Sequence, residues 1–395
     1  MKKFLFAICL LASATAVAQS GGIDAAMMEQ IRTGYKGTAA ERAVKNALAT
    51  TSITTLATNG DNLAMCDTHF SHQVKTEGIT NQKSSGRCWL FTGLNVLRAK
   101  MIVKHDLKEF EFSQNYLSFY DLLEKSNLFL QGIIDTRELP LDDRKVEWLL
   151  KNPIGDGGQF TGVSNLITKY GAVPNSAMPE TYQSNNTRDM RMILSLKLRE
   201  YALKLREARK GELKELKTAM LTNIYDILVK CLGVPPTEFS WTRYNSKGER
   251  VSTKSYTPQS FYAEFVGEDL ENNYVMLMND PTREYGKVYE IDYDRHTYDG
   301  DNWLYINLPI ERIKEVALAS IKDNTAMYFS CDVGKFFDRK RGVLDVTNLD
   351  YASLFATEFP MDKKQRVSTF ASGSSHAMTL IAVDTDKDGK TTKWM

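Results

Sequence analysis

The feature that most constrains this chain is a polar, glycine-containing loop that runs directly into an apolar stretch at a single cysteine. Residues 81–87 read NQKSSGR, and residues 89–103 then place leucines at helical spacing. Cys88 is therefore predicted in the first turn of a helix, where unpaired N–H groups and the helix dipole favour a thiolate. The amide of Gln82, on the preceding loop, can donate to an oxygen that becomes negative near that sulfur. The stretch predicts a nucleophile with an oxyanion donor, which is half of an acyl-transfer site.

The other half of such a site is a base, and the chain has five histidines to supply it. His376 follows a Gly-Ser-Ser segment and opens the apolar run 377–383, which is predicted to be a buried strand. A histidine at the first position of a buried strand is held in place by the strand, while its imidazole stays accessible. A cysteine at a helix start facing a histidine on a strand is suited to nucleophilic catalysis.

These residues resemble the papain superfamily of cysteine peptidases, and within it the bleomycin hydrolase and aminopeptidase C branch. The resemblance covers about residue 60 to the last residue and is carried by motifs in the same order. They are QKSSGRCW (82–89), EFSQNYL (111–117), DGGQ (156–159), KYGAVP (169–174), CDVGK (331–335) and SHA (375–377). The resemblance implies an α+β, papain-like two-lobe fold, with a helical lobe and a β-barrel-like lobe. It also implies a thiol peptidase with peptide substrates, no cofactor, no metal and a hexameric homo-oligomer.

The resemblance assigns roles to particular residues. Cys88, His376 and Gln82 are expected to be catalytic. Gly157 and Gly158 are expected to border the cleft and bind the substrate main chain, because glycine allows another backbone to approach closely. Trp89 is expected to be a third substrate-binding residue.

The chain is long for one domain, and the distance between Cys88 and His376 far exceeds the roughly 130–150 positions typical of simple papain-like enzymes. We therefore expect a helical lobe over 19–186, an inserted helical and mixed region over 187–307, and an incomplete β-rich lobe over 308–395. Residues 187–232 predict two amphipathic helices. Glutamates intersperse their basic residues, so a solvated face is favoured over nucleic-acid binding.

The N-terminus has the pattern of a secretory signal. Two lysines precede the apolar run 4–12, and small residues at 16–18 predict cleavage near Ala18–Gln19. No other stretch is apolar over the length of a membrane span. The mature protein is therefore expected to be exported, to the periplasm or beyond the cell. Its four remaining cysteines include no C-x-x-C pair, which disfavours zinc and redox sites.

The C-terminal end has two notable features. Residues 384–389 match the first half of a calcium loop, but the twelfth position is Met395, so a hairpin between 380–384 and 391–395 is favoured. The resemblance places a third catalytic residue, an asparagine that orients the imidazole, just beyond Met395. The C-terminal arm that makes relatives aminopeptidases would also follow there. We therefore expect a C-terminally truncated chain whose exopeptidase mode is open.

Two other classes of function stay open on the sequence. A Cys–His acyl transferase would use the same nucleophile, but usually with an aspartate partner, and Asp384 is poorly placed for that role. A non-catalytic binding or assembly protein is the other alternative, because the orienting asparagine is not in the chain.

Overall fold

The computed structural model describes residues 21–64 and 67–395. The predicted signal peptide over 1–18 lies outside the described residues, as does Cys66. The described chain divides into two compact units. One comprises residues 21–63 and Thr347–Phe359, and the other comprises the rest. The domain boundaries that the sequence predicts follow a different division and stay predictions.

Helices dominate the first two-thirds of the described chain. They are α1 (Ala25–Gly34), α2 (Ala39–Leu48), α3 (Ile53–Leu56), α4 (Cys88–Lys104), α5 (Gln114–Asp135), α6 (Arg144–Lys151), α7 (Phe160–Tyr170), α8 (Tyr182–Asn185), α9 (Arg188–Glu207), α10 (Leu213–Leu232), α11 (Pro258–Phe265), α12 (Ile310–Lys322), α13 (Tyr351–Phe355) and α14 (Lys363–Ser368).

The strands are short and lie mostly in the second half. They are β1 (His72–Gln73), β2 (Phe239–Tyr244), β3 (Arg250–Tyr256), β4 (Leu277–Met278), β5 (Lys287–Ile291), β6 (Trp303–Asn307), β7 (Met327–Cys331), β8 (Phe337–Asp338), β9 (Val343–Leu344), β10 (His376–Leu380), β11 (Ala382–Thr385) and β12 (Thr391–Trp394). Within the described part of the chain they form five small sheets, ordered β1-β11-β12, β7-β10, β2-β3, β4-β6-β5 and β8-β9.

The smaller unit is helical, and its two chain segments are joined by backbone hydrogen bonds. The N–H of Asn59 donates to the Asn348 carbonyl at 3.0 Å, and the N–H of Asp350 donates to the Ala57 carbonyl at 2.7 Å. Thr38 caps the start of α2.

In the larger unit, α4 is the central helix. It is apolar on nearly every face, which is the pattern of a helix surrounded by protein. It packs against α5, α7, β7 and β10. The helix α5 begins at the cap Ser113, whose hydroxyl accepts from the Tyr116 N–H at 3.0 Å. It continues to Asp135, because apolar side chains recur at helical spacing and are buried up to Ile133.

The predicted pair of amphipathic helices is confirmed as α9 and α10, which pack on α5 and on each other. Along their solvated faces, basic residues pair with neighbouring acids. Lys197 and Lys204 both contact Glu200, and Lys230 contacts Asp226.

Two strand pairs place the late residues of the chain. β10 runs antiparallel to β7, with His376 opposite Cys331. β11 and β12 form the predicted hairpin, and the Asp386 carboxylate in its turn accepts from the N–H groups of Asp388 and Lys390. Within the described residues, none of the helices has the length and apolar character needed to span a membrane.

The close approach of α4 and α7 gives a test of the fold. A Cβ on Gly93 would lie 2.6 Å from Val163 Cγ2, and Val163 is fully buried. We expect Gly93→Val to lower the free energy of unfolding by about 3 kcal/mol, because overpacking a dense core forces strain. The matched change Gly211→Val, where a Cβ meets nothing within 4 Å, should alter it by less than about 0.5 kcal/mol. Urea unfolding compares the two, and equal losses would contradict this packing.

Candidate active site

The helix α4 begins at Cys88, as the sequence predicts. Arg87 is the residue before its first turn, and no side chain of the described residues caps this helix start. Arg87 is 1% exposed and donates both guanidinium nitrogens to the carboxylate of Glu180, at 3.0 and 2.7 Å. Such a two-point pair is geometrically specific, so it fixes the backbone directly before the half-buried cysteine.

The loop that carries Gln82 is folded tightly against the helix start. The Gln82 amide donates to the Ser85 carbonyl at 2.8 Å, and the Ser85 hydroxyl donates to the Gln82 carbonyl at 2.7 Å. Lys83 has a φ of +54°, an unusual conformation for a residue with a Cβ. Residues in such sparsely populated backbone conformations are concentrated at functional sites. The amide of Gln82 is therefore held close to the segment that leads into Cys88.

Asp156 joins this loop to the glycine loop, which comprises residues 155–158. Its carboxylate accepts the Gly86 N–H at 2.7 Å and the Thr187 hydroxyl at 2.6 Å, and it pairs with Arg191 at 2.6 Å. A Cβ on Gly86 would lie 2.7 Å from the carboxyl carbon of Asp156, so only glycine allows this approach. The carbonyl of Asp156 accepts the indole N–H of Trp89 at 2.7 Å.

The two glycines of the loop differ in their surroundings. Gly157 is exposed, and a Cβ there would meet nothing within 4 Å. Gly158 is half-buried, and a Cβ there would collide with the His296 ring and lie 2.8 Å from Trp89. Trp89 is 1% exposed and supports the loop from behind. Its expected contact with substrate, and those of the glycines, stay predictions.

His376 is half-buried at the start of β10, which packs against α4. Burial lowers the pKa of its imidazole below the ordinary value, so the ring is neutral at neutral pH. Among the described residues, no hydrogen bond joins the Cys88 sulfur to His376. The fold thus packs α4 against β10, but the Cys88 thiol and the His376 imidazole are not hydrogen-bonded to each other.

Tyr328 in β7 was not singled out by the sequence. Burial raises the pKa of its phenol, and the charges of Cys88 and Asp294 raise it further. Tyr328 is therefore a neutral hydrogen-bond donor in the neighbourhood of Cys88.

His296 and Asp121 were also missed. Both are buried, and His296 Nδ1 lies 2.5 Å from Asp121 Oδ1. The His296 ring meets Trp89 edge-on at 4.4 Å between centroids. The only sequence signal for this pair was that each is a charged or titratable residue near apolar neighbours, which is too weak to find it.

The chain is similar to known proteins over most of its length. A profile of the Peptidase C1-like family matches residues 22–395. Human bleomycin hydrolase is 40% identical over 341 residues, covering 82% of this chain and 75% of that protein. Aminopeptidase C of Listeria monocytogenes is 39% identical over 329 residues, covering 82% of this chain and 74% of that protein.

A solved structure is similar over nearly the whole chain. The crystal structure of PepW from Lactobacillus rhamnosis HN001 superposes with a TM-score of 0.90 at 36% sequence identity. The match covers 95% of this chain and 85% of that one. It confirms the predicted α+β fold class.

The buried His296 predicts a pH dependence of stability. Burial and the nearby Lys125 lower the pKa of His296, although Asp121 and Asp294 oppose the shift. In the unfolded chain the imidazole therefore binds a proton as the pH falls through about 6.5, whereas in the folded chain it stays neutral to lower pH. The free energy of unfolding consequently falls as the pH drops below about 6.5. We expect this fall to be steeper in the wild type than in His296→Gln, by up to about 1.4 kcal/mol per pH unit.

Urea unfolding between pH 6.5 and 4.5 measures this difference. His69→Gln, at an exposed histidine, is the matched control and should keep the wild-type slope. Identical slopes for wild type and His296→Gln would contradict a neutral, buried imidazole.

Proposed function

Because this chain belongs to the Peptidase C1-like family, as a cysteine aminopeptidase of the bleomycin hydrolase and aminopeptidase C branch with a papain-like fold, we propose that Cys88 and His376 carry its catalysis. The observation that carries this proposal is the position of Cys88 at an uncapped helix start that packs against the strand opened by His376. The first-turn N–H groups there have no intrahelical partner and can donate to negative charge that develops beside the sulfur.

The reaction begins with the thiol proton. Neutral His376 accepts it, and the Cys88 sulfur attacks the peptide carbonyl carbon, so the carbonyl electrons move to oxygen. The imidazolium then protonates the leaving amine as the C–N bond breaks, leaving a thioester. A water molecule, deprotonated by His376, attacks that thioester and releases the carboxylic acid and Cys88.

The oxyanion of each tetrahedral intermediate requires donors. We assign this role to the Gln82 amide and the backbone N–H of Cys88. Gln82 is within a tight loop beside the helix start, and its amide donates to the Ser85 carbonyl. To act in catalysis, the amide would release the Ser85 carbonyl and donate to the oxyanion instead.

The substrate is a peptide, and we propose that Gly157 and Gly158 bind its main chain along the exposed side of their loop. Removal of N-terminal residues is the mode that the relatives named aminopeptidase C support. A homo-oligomeric ring and export with cleavage near Ala18–Gln19 are further proposals. Light scattering tests the first, and N-terminal sequencing of the mature protein tests the second.

Three substitutions test the catalytic assignment. We expect Cys88→Ser and His376→Ala to abolish measurable hydrolysis of aminoacyl fluorogenic substrates. Gln82→Ala should lower kcat by about 10²–10³, the usual effect of losing one oxyanion donor.

An N-acetylated substrate should be cleaved far more slowly than its free-amino counterpart if the mode is aminopeptidase.

The matched control is Cys231→Ser. Burial raises the pKa of the Cys231 thiol, so it is a poor nucleophile at neutral pH and its loss should leave kcat unchanged. Hydrolysis that survives Cys88→Ser would refute the assignment. Equal rates on the free-amino and N-acetylated substrates would refute only the aminopeptidase mode.

A further inference from the structure

A largely buried lysine on α5, Lys125, is bonded to the glycine loop. Lys125 is 12% exposed, and its ammonium donates to Asp121 Oδ2 at 2.8 Å. It also donates to the carbonyl of Gly155 at 3.0 Å and to that of Gly157 at 2.7 Å. An ammonium has three N–H donors, so every one is used, and two of the three hold the loop backbone.

The Trp89 indole completes the set of bonds to this loop. Because it donates to the carbonyl of Asp156, three successive loop carbonyls accept a side-chain donor. Backbone groups in an exposed loop would ordinarily bond to water. Here the carbonyls of residues 155–157 are instead bonded to groups fixed in α4 and α5, while Gly155 and Gly157 are exposed on the other side.

Asp121 connects the lysine to the imidazole of His296. Although burial alone would raise it, the pKa of Asp121 is held below its ordinary value by Lys125 and His296. The neutral imidazole donates its Nδ1–H to Asp121 Oδ1 at 2.5 Å. The cluster therefore contains an ammonium, a carboxylate and a neutral ring, with the two charges balanced inside the protein.

The His296 ring in turn limits where the second glycine can lie. It occupies the space in which a Cβ at Gly158 would stand, and a Cβ at Gly162 would be 2.5 Å from its Cε1. Because Asp121 and Trp89 hold the ring on two sides, it cannot move back easily. The loop is thus held by Lys125 at Gly157 and bounded by His296 at Gly158.

We propose that Lys125, Asp121 and His296 are positioning residues that set the backbone of Gly157 and Gly158 to receive the substrate main chain beside Cys88. This inference rests on the proposed peptidase function. A buried ion pair is weak evidence for a role in stability, because apolar replacements of similar volume are often neutral or better. The bonds from this pair to two loop carbonyls give it a role in geometry that an apolar replacement would lack.

The test compares two reagents that alkylate Cys88. Iodoacetamide needs only the sulfur, whereas a peptidyl epoxide must also bind along the glycine loop. We expect Lys125→Met to lower the second-order rate of the peptidyl epoxide by about 10–100-fold, the scale of a 1 Å misplacement, and to leave the iodoacetamide rate unchanged. With an aminoacyl fluorogenic substrate, KM should rise while kcat is kept, because main-chain contacts bind substrate and transition state alike.

Two variants control for loss of folding. Lys125→Arg keeps the charge and several donors, and should restore most of the peptidyl rate. Lys151→Met removes a matched pair, the exposed Lys151–Glu147 contact at i,i+4, and should change neither rate. If Lys125→Met does not fold, Asp121→Asn, which keeps the shape and an acceptor for His296, should lower the peptidyl rate in the same direction.

The outcomes separate the two proposals. If the wild type is not alkylated at Cys88 by either reagent, the proposed function fails and this inference fails with it. If the wild type is alkylated but Lys125→Met and Asp121→Asn keep the wild-type ratio of the two rates, the inference alone is overturned. A fall in both rates, or in kcat with KM unchanged, would mean a merely structural role and would also overturn it.

Discussion

The contacts of Asp156 are the constraint on which the candidate site depends. One carboxylate oxygen receives the backbone N–H of Gly86 and the hydroxyl of Thr187, and the other pairs with Arg191. The residue thus bonds the segment before Cys88 to the start of α9 and to the glycine loop. A buried carboxylate needs several partners, because leaving it unpaired would be costly. That requirement fixes the distance between the two loops that flank the sulfur.

A rigid inner side and an open outer side follow from this arrangement. Behind the glycine loop, Trp89 of α4 and Lys125 of α5 donate hydrogen bonds to the carbonyls of Asp156 and Gly157. In front of it, Gly157 is exposed and Cys88 is half-buried at an uncapped helix end. A site that binds a peptide main chain needs this combination, because preorganised donors and acceptors need not reorganise when the substrate arrives. The glycines supply the close approach, and the packed wall supplies the fixed position.

The sequence allowed prediction of what depends on local spacing. The apolar run after Cys88 predicted a helix start there, and Met395 at the twelfth position of an incomplete calcium loop favoured the hairpin that β11 and β12 form. The two inserted helices were predicted for the same reason, because their apolar and basic residues alternate at helical spacing. In each case the pattern lies within a short stretch of the chain.

Long-range partners could not be predicted in this way. The cluster behind the glycine loop joins residues of α5 to His296, far along the chain, and nothing in the local pattern around His296 indicates Asp121 as its partner. Likewise, Gly86 reads as an ordinary loop glycine until the fold places the Asp156 carboxylate against it. These contacts depend on how distant elements pack together, and the local pattern of a single sequence does not indicate that packing.

Cys88 is proposed to act with His376 on a peptide held by the glycine loop. A crystal structure of the protein after reaction with a peptidyl epoxide would test it most directly. We expect a single covalent bond at the Cys88 sulfur, the main chain of the inhibitor bonded to Gly158, and the His376 imidazole within about 3 Å of the reacting atoms. An adduct on another cysteine, or an adduct at Cys88 with His376 turned away and the glycine loop unoccupied, would contradict the account.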